Sequence, residues 1–379
     1  MASLKCLGQA GFRAFSFSLA LGAFLVALTR NRLRTAHWLS LLLLVLPVAG
    51  FAQTATGVGF VPIAIHDPVG GGTMPGYVFY PSAQAHGDTW RGPYRLAASA
   101  DARPIAGAKP LVVISHGHGG SDLGHHDLAT YLAAHGFVVA TLTHPRDNFR
   151  DNGGSTQAGV LVGRPIQVSA TIDYVLHDPH LSALVDPHRI GVAGFSAGGY
   201  TALMLVGAVP RFARIIGYCK AHPGDKGVCD GEKQLEAEDA KDGLTLQQNV
   251  DRLQRSLHRW GRTADPRVKA AFVMAPFSVP FGKAGLSQIK RPVLLYYAQN
   301  DRILWPKYNA LQSAPLIKTL AGLKVVPKAG HYVFLSPCSP QLAQGNAEIC
   351  QDPPGVDRIS VHRRIDADAL TFFRNTLGS

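Results

Sequence analysis

The sequence predicts an α/β fold with a doubly wound, mostly parallel sheet, and three observations support that prediction. After residue 110, short apolar runs alternate with stretches of helical periodicity. The apolar runs are continuous, which is typical of strands buried on both faces of a parallel sheet. Hydrophobic residues make up 46% of the chain and charged residues 16%, a composition that argues against disorder and for a sizeable core.

The predicted elements follow one another in the order that such a sheet requires. An antiparallel pair at residues 59–66 and 77–80 encloses a glycine-rich turn at 70–72, and no Gly-Lys-Ser/Thr follows to make that turn a phosphate loop. The later strands are predicted at residues 111–114, 137–143, 190–193, 270–274, 293–297 and 323–326. The helices are predicted at residues 127–135, 166–176, 197–206 and 365–377.

The segment Gly194-Phe195-Ser196-Ala197-Gly198 matches the Gly-x-Ser-x-Gly nucleophile elbow. It stands between a predicted strand and a predicted helix, which is the context that makes this motif specific. The turn is so sharp that the residues two before and two after the serine must lack bulk. The motif therefore predicts an α/β-hydrolase fold in which Ser196 is the nucleophile.

A serine hydroxyl needs a general base, and the base needs a third group that fixes its tautomer. Asp301 follows the strand predicted at 293–297, and His331 follows the strand predicted at 323–326. The chain order Ser, Asp, His is the order of this fold. We therefore expect Asp301 to orient His331, and His331 to act as the base.

The oxyanion of an acyl-transfer intermediate needs backbone N–H donors, usually one after the nucleophile and one after an earlier strand. Ala197 supplies the first donor. For the second we predict the N–H of His118 in the loop Ser115-His-Gly-His-Gly-Gly120, with Gly119 as the alternative. The glycines of this loop allow the backbone to approach a substrate closely.

Histidines are concentrated near this loop, but they do not predict a metal site. His116, His118, His125 and His126 lack an HExxH motif and a carboxylate at recognisable ligand spacing, so we expect neither a metal nor another cofactor. His116 is interpreted as a brace for the loop.

The rim of a substrate pocket is predicted at two positions. His144 follows the strand at 137–143, and Tyr332 adjoins His331. An alternative for His144 and Asp147 is that they bond only to the local backbone. Arg164 opens the next helix and is interpreted as a structural salt-bridge position.

Between residues 217 and 265 the strand–helix alternation is interrupted by an insertion. Its polar part contains acidic residues, and a helical pattern through Leu253 and Leu257 follows. The insertion adjoins the nucleophile helix, where caps occur in such folds. Two interpretations remain open, a cap that shapes the substrate site and a solvated charged helix.

Residues 1–52 have the three parts of an export signal. Arginines precede the apolar run at residues 38–48, and Gly50-Phe51-Ala52 supplies small residues for cleavage. An earlier uncharged stretch, residues 14–29, is shorter than the ~20 residues that span a bilayer comfortably. We expect an exported protein, periplasmic or secreted, with the folded domain at residues 53–379 and with membrane contact only through an uncleaved N-terminal segment.

The net charge does not indicate a nucleic-acid partner. The chain carries a formal charge of +12, but five basic and no acidic residues lie in the export signal, which leaves +7 for the remainder. The other basic residues are scattered, without a basic block or a stripe interleaved with aromatic residues. We expect a mildly basic surface and no nucleic-acid binding.

Four of the five cysteines remain once the export signal is set aside. In an exported protein an even number suggests two disulfides, although four cysteines allow three connectivities. The local pairs are Cys219 with Cys229 and Cys338 with Cys350. These wide spacings do not match the CxxC pairs of a zinc site.

With these residues assembled, the chain resembles bacterial secreted proteins grouped with dienelactone hydrolases and platelet-activating factor acetylhydrolases. The likeness extends from about Gly59 to Leu377 and is carried by four segments: residues 110–117, 136–139, 186–200 and 330–331. Ser196 differs from the cysteine that true dienelactone hydrolases have at this point, which favours the acetylhydrolase or general esterase members.

The resemblance implies metal-free cleavage of small-molecule or lipid esters with short or oxidised acyl groups. Secreted polyester hydrolases have a similar elbow, so polymeric esters remain an alternative. A peptidase or an acyltransferase would use the same acyl-enzyme. A binding protein without catalysis is disfavoured by the intact Ser196, Asp301 and His331.

Overall fold

The computed structural model describes residues 55–84, 87–231, 233 and 243–378. The predicted export signal lies outside the described residues. So do the acidic residues of the insertion, namely Glu232, Glu236, Glu238, Asp239 and Asp242.

Within the described residues, nine of the strands form one sheet. The strands of the chain are β1 (Gly57–His66), β2 (Thr73–Ser82), β3 (Thr89–Arg91), β4 (Tyr94–Leu96), β5 (Ser99–Ala100), β6 (Lys109–Ser115), β7 (Val138–Leu142), β8 (Val185–Phe195), β9 (Val268–Met274), β10 (Val293–Ala298) and β11 (Leu320–Val326). The sheet order is β11-β10-β9-β8-β6-β7-β2-β1-β5, and β3 pairs with β4 separately. The pairs from β7 to β11 are parallel, whereas β2 is antiparallel to both β7 and β1. The predicted mostly parallel sheet is confirmed.

The burial of the strands follows their sequence patterns. Every residue of β7, Val-Val-Ala-Thr-Leu, is buried, as is expected of a continuous apolar run in the centre of a covered sheet. The edge strand β11 alternates between buried or half-buried and exposed positions, and Leu323 and Val325 are about 40% exposed. Edge strands have one unpaired side, so their burial depends on neighbouring loops as well as on the sheet.

The helices cover both faces of the sheet. They include α1 (His126–Ala134), α2 (Ala158–Leu161), α3 (Gly163–His177), α4 (Ala197–Leu205), α5 (Ala213–Ala221), α6 (Leu246–Arg255), α7 (Lys283–Leu286), α8 (Ala310–Ser313), α9 (Pro340–Ala343), α10 (Ala347–Cys350) and α11 (Arg358–Leu377). One core packs α3, α4 and α6 against the sheet, and a second core packs α1 and α11 against it. In the part of the chain that the structure describes, no helix is both long and apolar enough to cross a membrane.

The last helix begins earlier than its apolar periodicity predicts. Asp357 accepts a hydrogen bond from the N–H of Ile359 at 3.1 Å and so starts the helix at Arg358 rather than at residue 365. Arg358 is itself buried and paired with Asp352. A first turn held by polar contacts has little apolar pattern to reveal it.

Both local disulfides that the cysteine spacing favours are present. Cys219 of α5 is bonded to Cys229, and Cys338 is bonded to Cys350 of α10. The Cα atoms are 5.5 and 5.6 Å apart, which is ordinary disulfide geometry. The prediction of these two pairs is confirmed.

Candidate active site

The turn between β8 and α4 presents Ser196 at the carboxyl end of the sheet. Ser196 has a φ of 57°, in the left-handed region that residues with a side chain seldom adopt. The turn is tight enough to require glycine on both sides. A Cβ on Gly194 would lie 2.1 Å from the carbonyl oxygen of Gly198, and a Cβ on Gly198 would lie 1.9 Å from that of Ser115. The backbone strain is thus maintained by close packing around the turn.

Ser196, His331 and Asp301 lie in one hydrogen-bonded chain. The Oγ of Ser196 is 3.0 Å from Nε2 of His331, and Nδ1 of His331 is 2.6 Å from Oδ2 of Asp301. All three residues are at least nine-tenths buried. The second oxygen of Asp301 accepts the N–H groups of Ile303 and Leu304 at 2.9 and 2.8 Å, which fixes the orientation of the carboxylate.

The loop after β6 passes beside Ser196. A Cβ on Gly117 would lie 2.9 Å from the ring of Phe195 and 3.2 Å from Cβ of Ser196, so a larger residue would crowd both neighbours. Among the described residues, the N–H of His118 has no acceptor, whereas that of Gly120 donates to the carbonyl oxygen of Gly117 at 3.1 Å. Ala197 is the first residue of α4, where N–H groups have no partner within the helix. The two predicted oxyanion donors therefore have N–H groups without an internal acceptor, and both residues line the same cavity as Ser196.

A buried ion pair supports this loop. Arg164 donates to Asp147, to the carbonyl oxygen of His116 and, at 3.2 Å, to the hydroxyls of Ser115 and Thr201. The other oxygen of Asp147 contacts Nδ1 of His118. Burial alone would raise the pKa of Asp147, but the Arg164 cation and the contact with His118 outweigh burial and lower it. The carboxylate is thus held ionised between the loop and α3.

Two buried histidines brace the same region. The backbone N–H of His144 donates to Nε2 of His116 at 3.0 Å, so the proton of His116 resides on Nδ1 and points to the carbonyl oxygen of Gly117. Burial and the nearby Arg164 cation lower the pKa of His116 to about 3, which keeps the ring neutral. This placement agrees with the interpretation of His116 as a brace.

The two positions expected at the pocket rim lie elsewhere. His144 is completely buried between Ser115 and Gln167, with ring contacts of 2.9 and 2.7 Å. Tyr332 packs edge-on against His331 at 5.4 Å between ring centres and is not among the residues that line the cavity described next. The side chain of a residue that follows a strand can point into the protein interior or toward the pocket. The position of the residue in the sequence does not distinguish these two orientations.

A cavity of about 390 Å³ opens beside Ser196. His118 and Ala197 line it, together with the polar pair Asp147 and Arg164. Its walls are mainly apolar and are formed by Val160, Leu161, Tyr200, Phe212, Ile215, Ile216, Val228, Leu246, Val250, Leu253, Phe277, Ile303 and Leu304. The volume falls within the roughly 300–1,000 Å³ of small-molecule pockets, and an apolar lining with few polar groups is typical of them.

The described parts of the insertion form one wall of this cavity. Lys226, Val228, Val250 and Leu253 all line it. The insertion packs closely on the loop that follows Asp301, because a Cβ on Gly227 would lie 1.8 Å from a carbonyl oxygen in that loop. Of the two interpretations left open for this segment, its position favours the cap that shapes the site.

Arg164 and Asp147 were not expected to act as a pair beneath the loop. The sequence does contain a feature that indicates a buried ion pair. Arg164 stands among apolar residues in its helix, and a charged residue on a buried face needs a partner. The identity of that partner depends on the fold, since Asp147 lies on a loop that only the tertiary structure places opposite α3.

No family model matches the sequence, and no curated protein is similar to it. Among solved structures, that of ferulic acid esterase from Streptomyces cinnamoneus superposes with a TM-score of 0.52 at 19% sequence identity. The match covers 87% of this chain and 92% of that protein. The likeness is one of fold, and it agrees with the mostly parallel sheet and the helices on both of its faces. The chain therefore has the α/β-hydrolase fold.

Proposed function

We propose that the protein is an exported serine hydrolase that cleaves carboxylic esters through an acyl-enzyme on Ser196. The observation that carries the proposal is the chain of hydrogen bonds from Ser196 through His331 to Asp301, at 3.0 and 2.6 Å. Two disulfides support export, because such bonds persist in oxidising compartments. The fold shared with a ferulic acid esterase supports ester chemistry.

In the proposed mechanism, Nε2 of His331 takes the proton of Ser196 as Oγ attacks the ester carbonyl carbon. The negative charge that forms on the carbonyl oxygen is stabilised by the N–H groups of Ala197 and His118. His331 then gives the proton to the departing alcohol, and the acyl group stays on Ser196. Water then attacks the carbonyl carbon of the acyl-enzyme, with His331 as the base. The bond to Oγ of Ser196 breaks, His331 returns the proton to Ser196, and the acid is released. Asp301 keeps His331 in the tautomer that both steps need.

The cavity supports an apolar group on the substrate. Its walls are mainly aliphatic and aromatic, and the acidic and basic side chains among its described lining residues are few: His118, Asp147, Arg164, Lys226 and Asp230. An acyl chain or ring would gain about 25 cal/mol for each Å² of apolar surface that it buries there. We propose small-molecule or lipid esters of the acetylhydrolase and esterase type as substrates, and we propose that residues 53–379 form one hydrolase domain with residues 217–265 as its insertion.

The test is hydrolysis of p-nitrophenyl esters of increasing acyl length, together with labelling by a fluorophosphonate. Ser196→Ala should lose several orders of magnitude in kcat and all labelling, with an unchanged fold. Ser287→Ala, at the end of the remote helix α7, is the matched control and should react like the parent. Activity of Ser196→Ala within tenfold of the parent, a difference of about 1.4 kcal/mol in barrier, would refute the assignment.

Product analysis separates the ester hydrolase from its alternatives. The parent is given the same acyl donor with water alone, with an added alcohol and as the corresponding amide. An ester hydrolase releases free acid in the first two cases and leaves the amide intact. Dominant transfer to the alcohol would indicate an acyltransferase, and cleavage of the amide would indicate a peptidase.

A further inference from the structure

A second cluster of polar side chains lies on the face of the sheet opposite the cavity, between α1 and α11. Asp127 stands in the first turn of α1. His362 and Asp366 belong to α11 and are four residues apart, a spacing that places both on one side of a helix. The cluster is enclosed by protein, since His362 and Asp366 are 5% and 6% exposed.

The donor atoms of these three residues converge. One nitrogen of His362 and one carboxylate oxygen each from Asp127 and Asp366 all lie within 4.8 Å of one another. Tetrahedral zinc, with bonds of about 2.0–2.2 Å, places its ligand atoms roughly 3.5 Å apart. Nδ1 of His362 and Oδ2 of Asp127 are already in direct contact, so an ion would take the place of the proton between them and move these two atoms apart. The carboxylate of Asp366 would approach by up to about 1 Å. The side chain of Asp127 is 20% exposed, which gives the cluster a connection to solvent.

The outward-facing atoms of the cluster are already occupied. Nε2 of His362 is 2.8 Å from the carbonyl oxygen of Val333 and must donate to it, which leaves Nδ1 to face Asp127. The other oxygen of Asp127 accepts the hydroxyl of Ser336. Metal-binding histidines and carboxylates typically have such outer partners, which fix the tautomer and the orientation of the ligand.

Three buried atoms of the cluster make no regular hydrogen bond in the described part of the chain, and two of them, Nδ1 of His362 and Oδ2 of Asp127, form an ion pair with each other. Oδ1 of Asp366 is buried and accepts no N–H or O–H group. A buried carboxylate oxygen without a donor is costly, because it has lost its water without replacement. Asp366 is more than nine-tenths buried, and its carboxylate is one of the three donors that converge.

We propose that Asp127, His362 and Asp366 bind one divalent transition-metal cation of the zinc type. An imidazole nitrogen and carboxylate oxygens are ligands that zinc uses in proteins, with water able to complete the coordination. Two carboxylates balance the double positive charge. The site is separate from the acyl-enzyme chemistry, which uses no metal.

The proposed ion has a structural role. It would join α1 to α11, and its histidine ligand holds the carbonyl oxygen of Val333, two residues after His331. No spacing of ligand residues along the chain reveals such a site, because Asp127 and the pair on α11 lie far apart in the sequence.

The experiment uses the exported protein after removal of any affinity tag, stripped with a chelator and then dialysed into metal-free buffer. Zn²⁺, Mn²⁺ and Ca²⁺ are titrated in turn, and bound metal and Tm are measured. We expect one zinc per chain with a submicromolar Kd, and a rise in Tm of roughly 5 °C at about a hundredfold excess over Kd. Asp366→Asn, which is isosteric, should weaken zinc binding at least a hundredfold and abolish the rise in Tm.

Asp368→Asn is the matched control, because Asp368 lies on the same helix but contacts Tyr296 and Lys324 instead. It should bind zinc like the parent. Asp127→Asn, at the more exposed ligand, serves as a second variant if Asp366→Asn does not fold. The proposal is overturned if the parent binds no zinc, if both ligand variants bind it as tightly as the parent, or if Ca²⁺ is preferred. In the first two cases the cluster is an ion pair between Asp127 and His362 with a neighbouring acid, and in the third it is a calcium site instead of a zinc site.

Discussion

The buried pair of Arg164 and Asp147 offers the sharpest test of how the loop beside Ser196 is held. Arg164→Met keeps most of the length of the side chain and removes the guanidinium, which donates to four different groups. The carboxylate of Asp147 then stays 1% exposed with His118 as its remaining partner. Removing one member of a buried pair costs about 3–5 kcal/mol, because the other charge is left without compensation.

The double variant shows whether that cost comes from the stranded charge. Asp147→Asn retains an oxygen that can contact His118, but it leaves no buried negative charge without a partner. In the background of Arg164→Met it should recover at least about 2 kcal/mol of the loss, since the coupling in a buried pair is of that size. The free energy of unfolding is measured by urea denaturation of the parent, both single variants and the double variant, with equal m-values as the check on two-state behaviour.

The same variants link the ion pair to catalysis. If Arg164 and Asp147 position the N–H of His118, Arg164→Met should lower kcat by about 10²- to 10³-fold, the usual effect of losing one oxyanion donor, with little change in KM. Arg95→Met removes an exposed arginine that pairs with Asp88 and is the control; it should change neither the unfolding midpoint nor kcat. A loss of stability below about 1 kcal/mol for Arg164→Met, or strict additivity in the double variant, would refute this reasoning.

Three further predictions concern charge, the second disulfide and the cavity. Burial raises the pKa of Asp122 from 3.8 to about 6, so the folded state binds this proton more tightly than the unfolded state and the free energy of unfolding falls as the pH rises from about 4 to 6. Asp122→Asn should therefore be more stable than the parent by about 1–3 kcal/mol at pH 8 but not at pH 3.5. Equal differences in urea denaturation at both pH values would contradict this prediction. Replacing both Cys338 and Cys350 by serine should cost about 2–3 kcal/mol by loop-closure entropy and lower activity before the fold melts, because this loop follows His331; an unchanged rate at 25 °C would count against the link. Val250→Phe should reduce kcat/KM for long acyl esters at least tenfold and leave acetyl esters unchanged, whereas Val209→Phe, at a valine that is 46% exposed, should affect neither.

The fold could be predicted because the strands at the centre of the sheet have apolar patterns that are recognisable within a few consecutive residues. A buried parallel strand such as β7 is apolar at every position, and this continuous run can be recognised without any tertiary information. The hydrogen-bonded arrangement of Ser196, His331 and Asp301 could be predicted for a related reason. Parallel strands all end at one edge of the sheet, so residues that follow β8, β10 and β11 are brought together once the strand order is known.

Elements held by polar or long-range contacts could not be predicted in this way. The short strands β3, β4 and β5 have only two or three residues each, too few to show a period. His144 follows a strand at the correct edge, yet its ring turns inward because Ser115 and Gln167 provide buried partners for both nitrogens. Those partners lie on other elements, and a sequence pattern does not record which of them faces His144.

The proposed reaction and the proposed choice of substrate depend on different parts of this chain. Ser196, Asp301 and His331 lie at strand ends, where the geometry follows from the sheet and tolerates little change. The cavity that would hold the substrate is formed largely by helices and by the insertion, including Val250 and Leu253 of α6. Loops and insertions can change in length and composition without disturbing the sheet. For this reason a motif of five residues indicates the type of chemistry, whereas the choice of acyl group depends on packing between α2, α4, α5 and α6 that only the folded structure brings together.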